Sequence, residues 1–123
     1  MRGSNAILAD QLKLQILSEC KQQLQTRSRG TLKFFVRNGQ IQKIFRKNEL
    51  RLIGGSRFDL AVPEAGMTPA MIKQFLALVE DALQQYERID YGHISITYRL
   101  NPDGSQIDDM AVEWEDEKHL KIL

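Results

Sequence analysis

The chain has 123 residues, 42% hydrophobic and 27% charged, and its 17 basic and 16 acidic side chains leave a net charge of +1. That length carries one modest core and excludes two independent domains, and no apolar run approaches the roughly 20 residues with which a helix crosses a bilayer. The N-terminal MRGSNAILAD breaks its apolar stretch at Asp10, unlike a secretory leader, and the single cysteine, Cys20, excludes an intramolecular disulfide or a thiolate knuckle, so the expected setting is the cytoplasm.

The near-zero total hides an asymmetry. Residues 1–60 hold twelve Lys or Arg against four Asp or Glu, a net +8, whereas residues 61–123 hold five against twelve, a net −7. A fold that keeps the halves in different regions of space is strongly dipolar.

In chain order, Leu8, Leu12, Ile16, Cys20 and Leu24 fall at successive i+4 steps with Leu17 beside them, one apolar stripe of a helix over 5–26 that Asn5 or Ser4 can cap. Cys20 on that stripe is expected to be buried and inert. Gly30 then opens an alternating strand, Leu32, Phe34, Val36. Asn38-Gly39 is the dipeptide of a type I′ hairpin turn, because both central residues need positive φ. A regular hairpin around it pairs Val36 with Ile41, Phe34 with Lys43 and Leu32 with Phe45. ELRLI at 49–53 suits a third strand. Residues 54–67, with Gly54, Gly55, Pro63 and Gly66 as breakers, read as a linker.

A second helix is expected over 68–89, with Ile72, Phe75, Leu76, Val79, Ala82, Leu83 and Tyr86 on its stripe. Thr68 supplies the N-cap and Pro69 takes the first helical position, where its missing N–H costs nothing. Gly92 opens another alternating strand, Ile94, Ile96, Tyr98. Asn101-Pro102-Asp103-Gly104 suits a type I turn followed by a left-handed glycine, setting Ile96 against Met110 and Ile94 against Val112. KHLKIL at 118–123 suits either a further strand or a last helical turn.

An offset of 62 carries Gly30 to Gly92, Leu32 to Ile94 and the first helix start to the second. The expected fold is therefore α+β: two helix–hairpin repeats, α-β-β(-β)-α-β-β(-β), forming one antiparallel sheet with two helices on one face. Within a single domain 1–123, a basic repeat spans 5–53, an acidic repeat 68–123, and the linker joins them.

The leftover sheet face carries the charge. Residues 29–52 hold seven basic groups and one acid, and the regular register turns Thr31, Lys33, Phe35 and Arg37 outward beside Gln40, Gln42, Ile44 and Arg46, with Lys47 and Arg51 extending the field. On the other hairpin the same side shows His93, Ser95, Thr97 and Arg99 against Ile107, Asp109, Ala111, Glu113 and Glu115. A basic sheet with an exposed ring suits a protein partner, another copy's acidic half, a sugar-phosphate backbone with stacked bases, or solvent alone. Phe35 argues against solvent alone. Cover from Phe58, Leu60 and Val62 of the linker is its structural alternative.

Signatures of chemistry are few. His93 and His119 are the only histidines, without a zinc spacing or a nucleophile-base-acid constellation. NPDGSQIDD lacks the first and last ligands of a calcium loop, IGGS lacks the Gly-Lys-Ser/Thr of a phosphate loop, and Trp114, on the side of Met110 and Val112, reads as core. No catalytic, cofactor or metal residue is assigned, and a membrane or small-molecule ligand is not inferred.

The stretch GTLKFFVRNGQIQKIFRKNELRL, preceded by an amphipathic helix, resembles a small bacterial family of uncharacterised proteins, each built as one helix followed by a β-hairpin. Gly30, Val36, Asn38, Gly39, Ile41, Ile44, Arg51 and Leu52 carry the likeness, over the first 52 residues. The resemblance implies the helix–hairpin fold and no activity. The sequence reading is thus a non-enzymatic binding module that presents Lys33, Phe35, Arg37, Arg46, Lys47 and Arg51 to a protein or to a second copy in a homo-oligomer, with nucleic acid as the alternative partner.

Overall fold

A computed structural model describes residues 4–47 and 66–116, and at 46 and 47 the backbone alone. The expected strands at 49–53 and 118–123, most of the linker, Arg51 and His119 lie outside the described residues. The elements run α1 (Ala6–Gln15), a π-helical segment (Ile16–Cys20), α2 (Lys21–Thr26), β1 (Arg29–Arg37), β2 (Gln40–Lys47), α3 (Pro69–Gln84), β3 (Tyr91–Leu100) and β4 (Ile107–Glu115). The protein is α+β: the strands make one antiparallel sheet in the order β2-β1-β3-β4.

The first three elements form one continuous 21-residue helix. Its buried residues Leu8, Leu12, Ile16, Cys20 and Leu24 are each 3% exposed or less. In a regular α-helix, four steps of four residues rotate the stripe by about 160°. The wider π turn at the middle takes up part of that excess, so the stripe stays on the sheet from one end to the other. Leu17, expected beside the stripe, is instead 41% exposed, since the π turn rotates it away from the core.

Asn5 corrects a second expectation. It stands at the N-cap of α1, yet its side chain makes no bond to that helix. Its Nδ2 donates to the carbonyls of Leu83 (2.9 Å), Tyr86 (3.2 Å) and Glu87 (3.0 Å), while its Oδ1 accepts from the Ile89 amide (2.9 Å). The residue caps the far end of α3, where it adds to the Tyr86 amide (3.3 Å) on the Leu83 carbonyl and meets the Tyr86 and Glu87 carbonyls just past the last turn. Thr68 does cap α3 as expected, its Oγ1 accepting from the Met71 amide (3.3 Å), and Pro69 follows at the first helical position. Lys13 and Glu80, 2.9 Å apart, tie the two helices across a half-buried flank.

The core lies between the helices and one face of the sheet. Leu32, Phe34 and Val36 from β1 and Ile94, Ile96, Tyr98 and Leu100 from β3 meet Leu12, Ile16 and Leu24 and, from α3, Phe75, Val79 and Leu83. Removing each such large side chain from water contributes about 1.5–3 kcal/mol, which makes the two central strands the most firmly held. Cys20 is fully buried, as expected of a stripe residue. Trp114 is partly buried against the core, its Nε1 donating to the Tyr91 carbonyl (3.1 Å) and its ring edge-on to Tyr86.

Both turns have the expected chemistry. Asn38 and Gly39 stand at φ 55° and 69°, and Gly104 at φ 73°, where its amide donates to the Asn101 carbonyl (2.9 Å). The registers differ from regular hairpins. Val36 pairs with Ile41 as expected, but Gln42 is bulged out, so Phe34 faces Ile44 rather than Lys43, and Leu32 faces Arg46 rather than Phe45. In the second hairpin Ile94 pairs with Trp114 and Ile96 with Val112, two residues from the expected register on the same face. A shift between Arg99 and Leu100 then sets Leu100 against Ile107 and packs Ile107 on the core, not on the outer face.

Candidate interaction face

One residue of shift turns every later side chain of a strand to the other face. The Gln42 bulge does this to β2. Ile44, expected outside, packs against the core, and the Arg46 position pairs with Leu32 on the helix side, so neither is part of the outer surface as anticipated. Lys43 and Phe45 take their places. Phe45 is 48% exposed, Lys43 is exposed, and the Lys47 position, opposite Thr31, returns to the outer side.

On β1 the alternation holds because Leu32, Phe34 and Val36 are wholly buried on the other side. Lys33, Phe35 and Arg37 therefore point outward as expected, Arg37 exposed and the other two half-buried. Phe35 lies under no described helix. Its ring is edge-on to Tyr91 at 5.5 Å and tilted against His93 at 5.3 Å, so neighbours on β3 shelter its flanks. Such aromatic pairs add about 0.5–1.5 kcal/mol beyond area burial and hold the ring in place. Phe45, the cross-strand partner of Lys33, has no ring neighbour of that kind among the described contacts.

Across the face the charges sort by strand. One row reads Lys43, Phe35, His93, Glu115 from β2 to β4, and the next Phe45, Lys33, Ser95, Glu113. Lys33, Arg37 and Lys43 lie on one half, and Asp109, Glu113 and Glu115 on the other. Arg99 faces the acidic strand and is bonded to Asp108 at 3.3 Å, so its charge is partly answered in place. The small side chains of Thr31, Thr97 and Ala111 share the next row, and Arg29, Arg99 and Asp109 the row beyond it, so this end of the face carries long charged side chains in place of the rings at the other.

Of the six residues singled out from sequence, Lys33, Phe35 and Arg37 are brought together, the Lys47 backbone position adjoins them, Arg46 is at a position of the opposite face, and Arg51 lies outside the described residues. Phe45, Lys43 and Tyr91 belong to the face without having been anticipated there. A signal existed for two of them: Ile41 and Ile44 are three apart, an odd spacing that no regular strand can turn to one side. Among the described residues no three His, Cys, Asp or Glu side chains gather as a metal site, and no helix is long and apolar enough to cross a membrane. Comparison of the chain with protein-family models, curated proteins and solved structures finds no match.

Proposed function

We propose that this chain is a non-enzymatic protein-binding module, working through the sheet face opposite its helices, with Lys33, Phe35, Arg37, Lys43 and Phe45 as the contact set. The observation that carries the reading is Phe45. A large ring, 48% exposed, stands on a sheet surface beside Lys33 and near Phe35, where no described element covers it. An aromatic anchor within a charged rim is the usual make-up of a protein contact.

The two helix–hairpin units fit the reading as repeats of one plan. Shifted by 62, Lys33 becomes Ser95, its own cross-strand partner, and Thr31 and Phe35 become His93 and Thr97, which pair with Phe35 and Thr31. A rotation that exchanges the units thus returns the central ladder to itself. Duplication followed by opposite charging of the halves makes a polarised surface, which steers association more than it adds affinity.

Nucleic acid is the second reading, favoured by the same Phe45 between Lys33 and Lys43 and opposed by Glu113 and Glu115 two and three strands away on the same face. Photo-crosslinking from position 45, with Phe45→p-benzoylphenylalanine in the chain's own cells, separates the two. Protein adducts identified by mass spectrometry are the expected result; nucleic-acid adducts alone, or no intermolecular adduct at all, overturn it.

A further inference from the structure

The outer face is complementary to itself. Its basic half lies on β1 and β2 and its acidic half on β4, so a second copy offers the charge pattern that the first one lacks. The question is whether a symmetric contact can use it. Two copies stacked face to face about a twofold axis have two simple choices of axis direction. An axis across the strands lays β2 on β2 and β4 on β4, like charge on like, and puts the aromatic end of one face on the end of the other that carries Arg29, Arg99 and Asp109. An axis along the strands exchanges the edges and keeps the ends, so that β2 of each copy lies over β4 of its mate and the aromatic ends meet.

The second choice also matches rows. Because Lys43, Phe35, His93 and Glu115 stand in one cross-strand row, it carries Lys43 over Glu115 of the second copy and Phe35 over the second copy's His93. Lys33, one row further and one strand inward, is then close to the second copy's Glu113 and Glu115. Phe45, in the row of Lys33, is carried over the second copy's Glu113, with the small side chain of Ala111 one row further on leaving room beside the ring. We propose that the protein forms a homodimer of this kind: two sheets packed through their helix-free faces about a twofold parallel to the strands. The proposal rests on the protein-binding reading above and names the partner as a second copy of this chain.

The area suffices. Four strands at a spacing of about 4.8 Å, each about nine residues long at about 3.3 Å per residue, give a face of roughly 19 Å by 30 Å, near 570 Å² in projection. Two such faces bury about 1,100 Å² before side-chain relief is counted, close to the lower bound of stable, specific interfaces. Aligned sheets pack about 10 Å apart and rotated by about 30°, which Lys and Glu side chains at the edges span easily.

The symmetry supplies its own test. In sedimentation equilibrium on the whole chain, the wild type is expected to be a dimer whose dissociation constant rises with salt. Lys43→Glu alone sets a carboxylate on a carboxylate at both edges, and Glu115→Lys alone sets an ammonium on an ammonium; each is expected to weaken the dimer at least tenfold. Mixed together, the two variants restore an opposite-charge pair at each edge, the reversed pair at one and the native Lys43 over Glu115 at the other, and the heterodimer is expected to regain wild-type affinity. Recovery on mixing excludes misfolding as the cause of either loss. A wild type monomeric up to about 100 μM, where a contact at the weak end of specific interfaces would already be populated, a dimer indifferent to both reversals, or a mixture that stays monomeric overturns the proposal. If the first of these comes with crosslinks from position 45 to a different protein, the dimer falls and the protein-binding reading stands.

Discussion

Replacing Asn5 tests the joint between the two helices. Its amide answers three carbonyls at the end of α3 and one amide beyond it, with the bonds to the Leu83 carbonyl and from the Ile89 amide both buried. Asn5→Ala strands the buried Ile89 amide, at about 1–3 kcal/mol, while the Leu83 carbonyl keeps the Tyr86 amide (3.3 Å) and the Tyr86 and Glu87 carbonyls are partly exposed and recover water. A net loss of about 2 kcal/mol follows, a large share of the roughly 5–15 kcal/mol typical of a domain. Asn5→Ser discriminates between mechanisms. Serine caps its own helix about as well as asparagine, so a residue that merely started α1 would be replaced at little cost; a hydroxyl cannot span to three carbonyls and an amide, so the structure requires a loss near that of alanine. Asn5→Asp keeps the acceptor for Ile89 and points a carboxylate at the carbonyl end of α3, the negative end of the helix dipole. That environment raises the folded-state pKa of the new acid above its unfolded value, so its destabilisation is full at neutral pH and is relieved as pH falls through the folded pKa. Urea unfolding at neutral pH and at about pH 4.5, near the ordinary carboxylate range, measures all three. A serine variant within about 0.5 kcal/mol of wild type, the size of an ordinary surface change, or an aspartate variant no better relative to wild type at the lower pH, refutes the cross-capping argument.

Deleting Gln42 removes the bulged residue and leaves every other β1–β2 pairing in place, so the variant is expected to fold with stability within about 1 kcal/mol of wild type and with the Phe34–Ile44 cross-strand contact preserved in NMR spectra; in a regular hairpin the same deletion turns Phe45 and everything after it inside out and abolishes the fold. Gly92→Ala is expected to cost more than about 3 kcal/mol in chemical denaturation, since φ is +128° there and a Cβ runs into the Glu115 carbonyl oxygen and the Trp114 indole nitrogen. The Asp103 carboxyl, held below its ordinary pKa by hydrogen bonds from Ser105, is ionised through neutral pH. The turn is expected to keep its Ser105 amide shift from neutral pH down past the unfolded carboxylate range and to lose it only as pH falls through the lowered folded value, followed by NMR titration; a Ser105 amide that titrates with an ordinary aspartate refutes this.

How much of this was legible in the chain depends on which residues set the answer. The helix stripes, the positive-φ turns at Asn38-Gly39 and Gly104, the Thr68 cap and the burial of Cys20 follow from local chemistry, because each is decided within a few residues. β1 was legible for another reason: three alternating apolar residues, Leu32, Phe34 and Val36, have one way to share a face, which sends Lys33, Phe35 and Arg37 outward. Asn5 was not legible, since its partners are 78 to 84 residues away and a helix-starting asparagine looks the same whether it caps its own helix or another.

Apart from the turn between β3 and β4, which is one residue longer than expected, the remaining misreadings have one physical origin, a single extra residue inserted into a regular element. Gln42 in β2, Asp108 beside the Arg99–Leu100 shift and the π turn at Ile16–Cys20 each add one residue without lengthening the element's partner, and each redirects the side chains after it. A period-2 strand inverts under such an insertion; a helix merely rotates. That is why β2 exchanged Ile44 for Phe45 on the outer face while the first helix kept its whole apolar stripe buried and lost only Leu17 to solvent. The local spacing marks these places in advance. Ile41 and Ile44 sit an odd number apart, Ile107 and Met110 do the same, and a strict +4 run of five apolar residues is longer than an unbroken α-helix can keep on one side. Insertions of this kind cost ladder bonds, so their placement on the two outer strands, where one side of the strand has no partner among the described residues, is where a sheet tolerates them most readily. On β2 the result brings an exposed ring and a lysine onto the helix-free face, on the half of the sheet away from Asp109, Glu113 and Glu115 of β4.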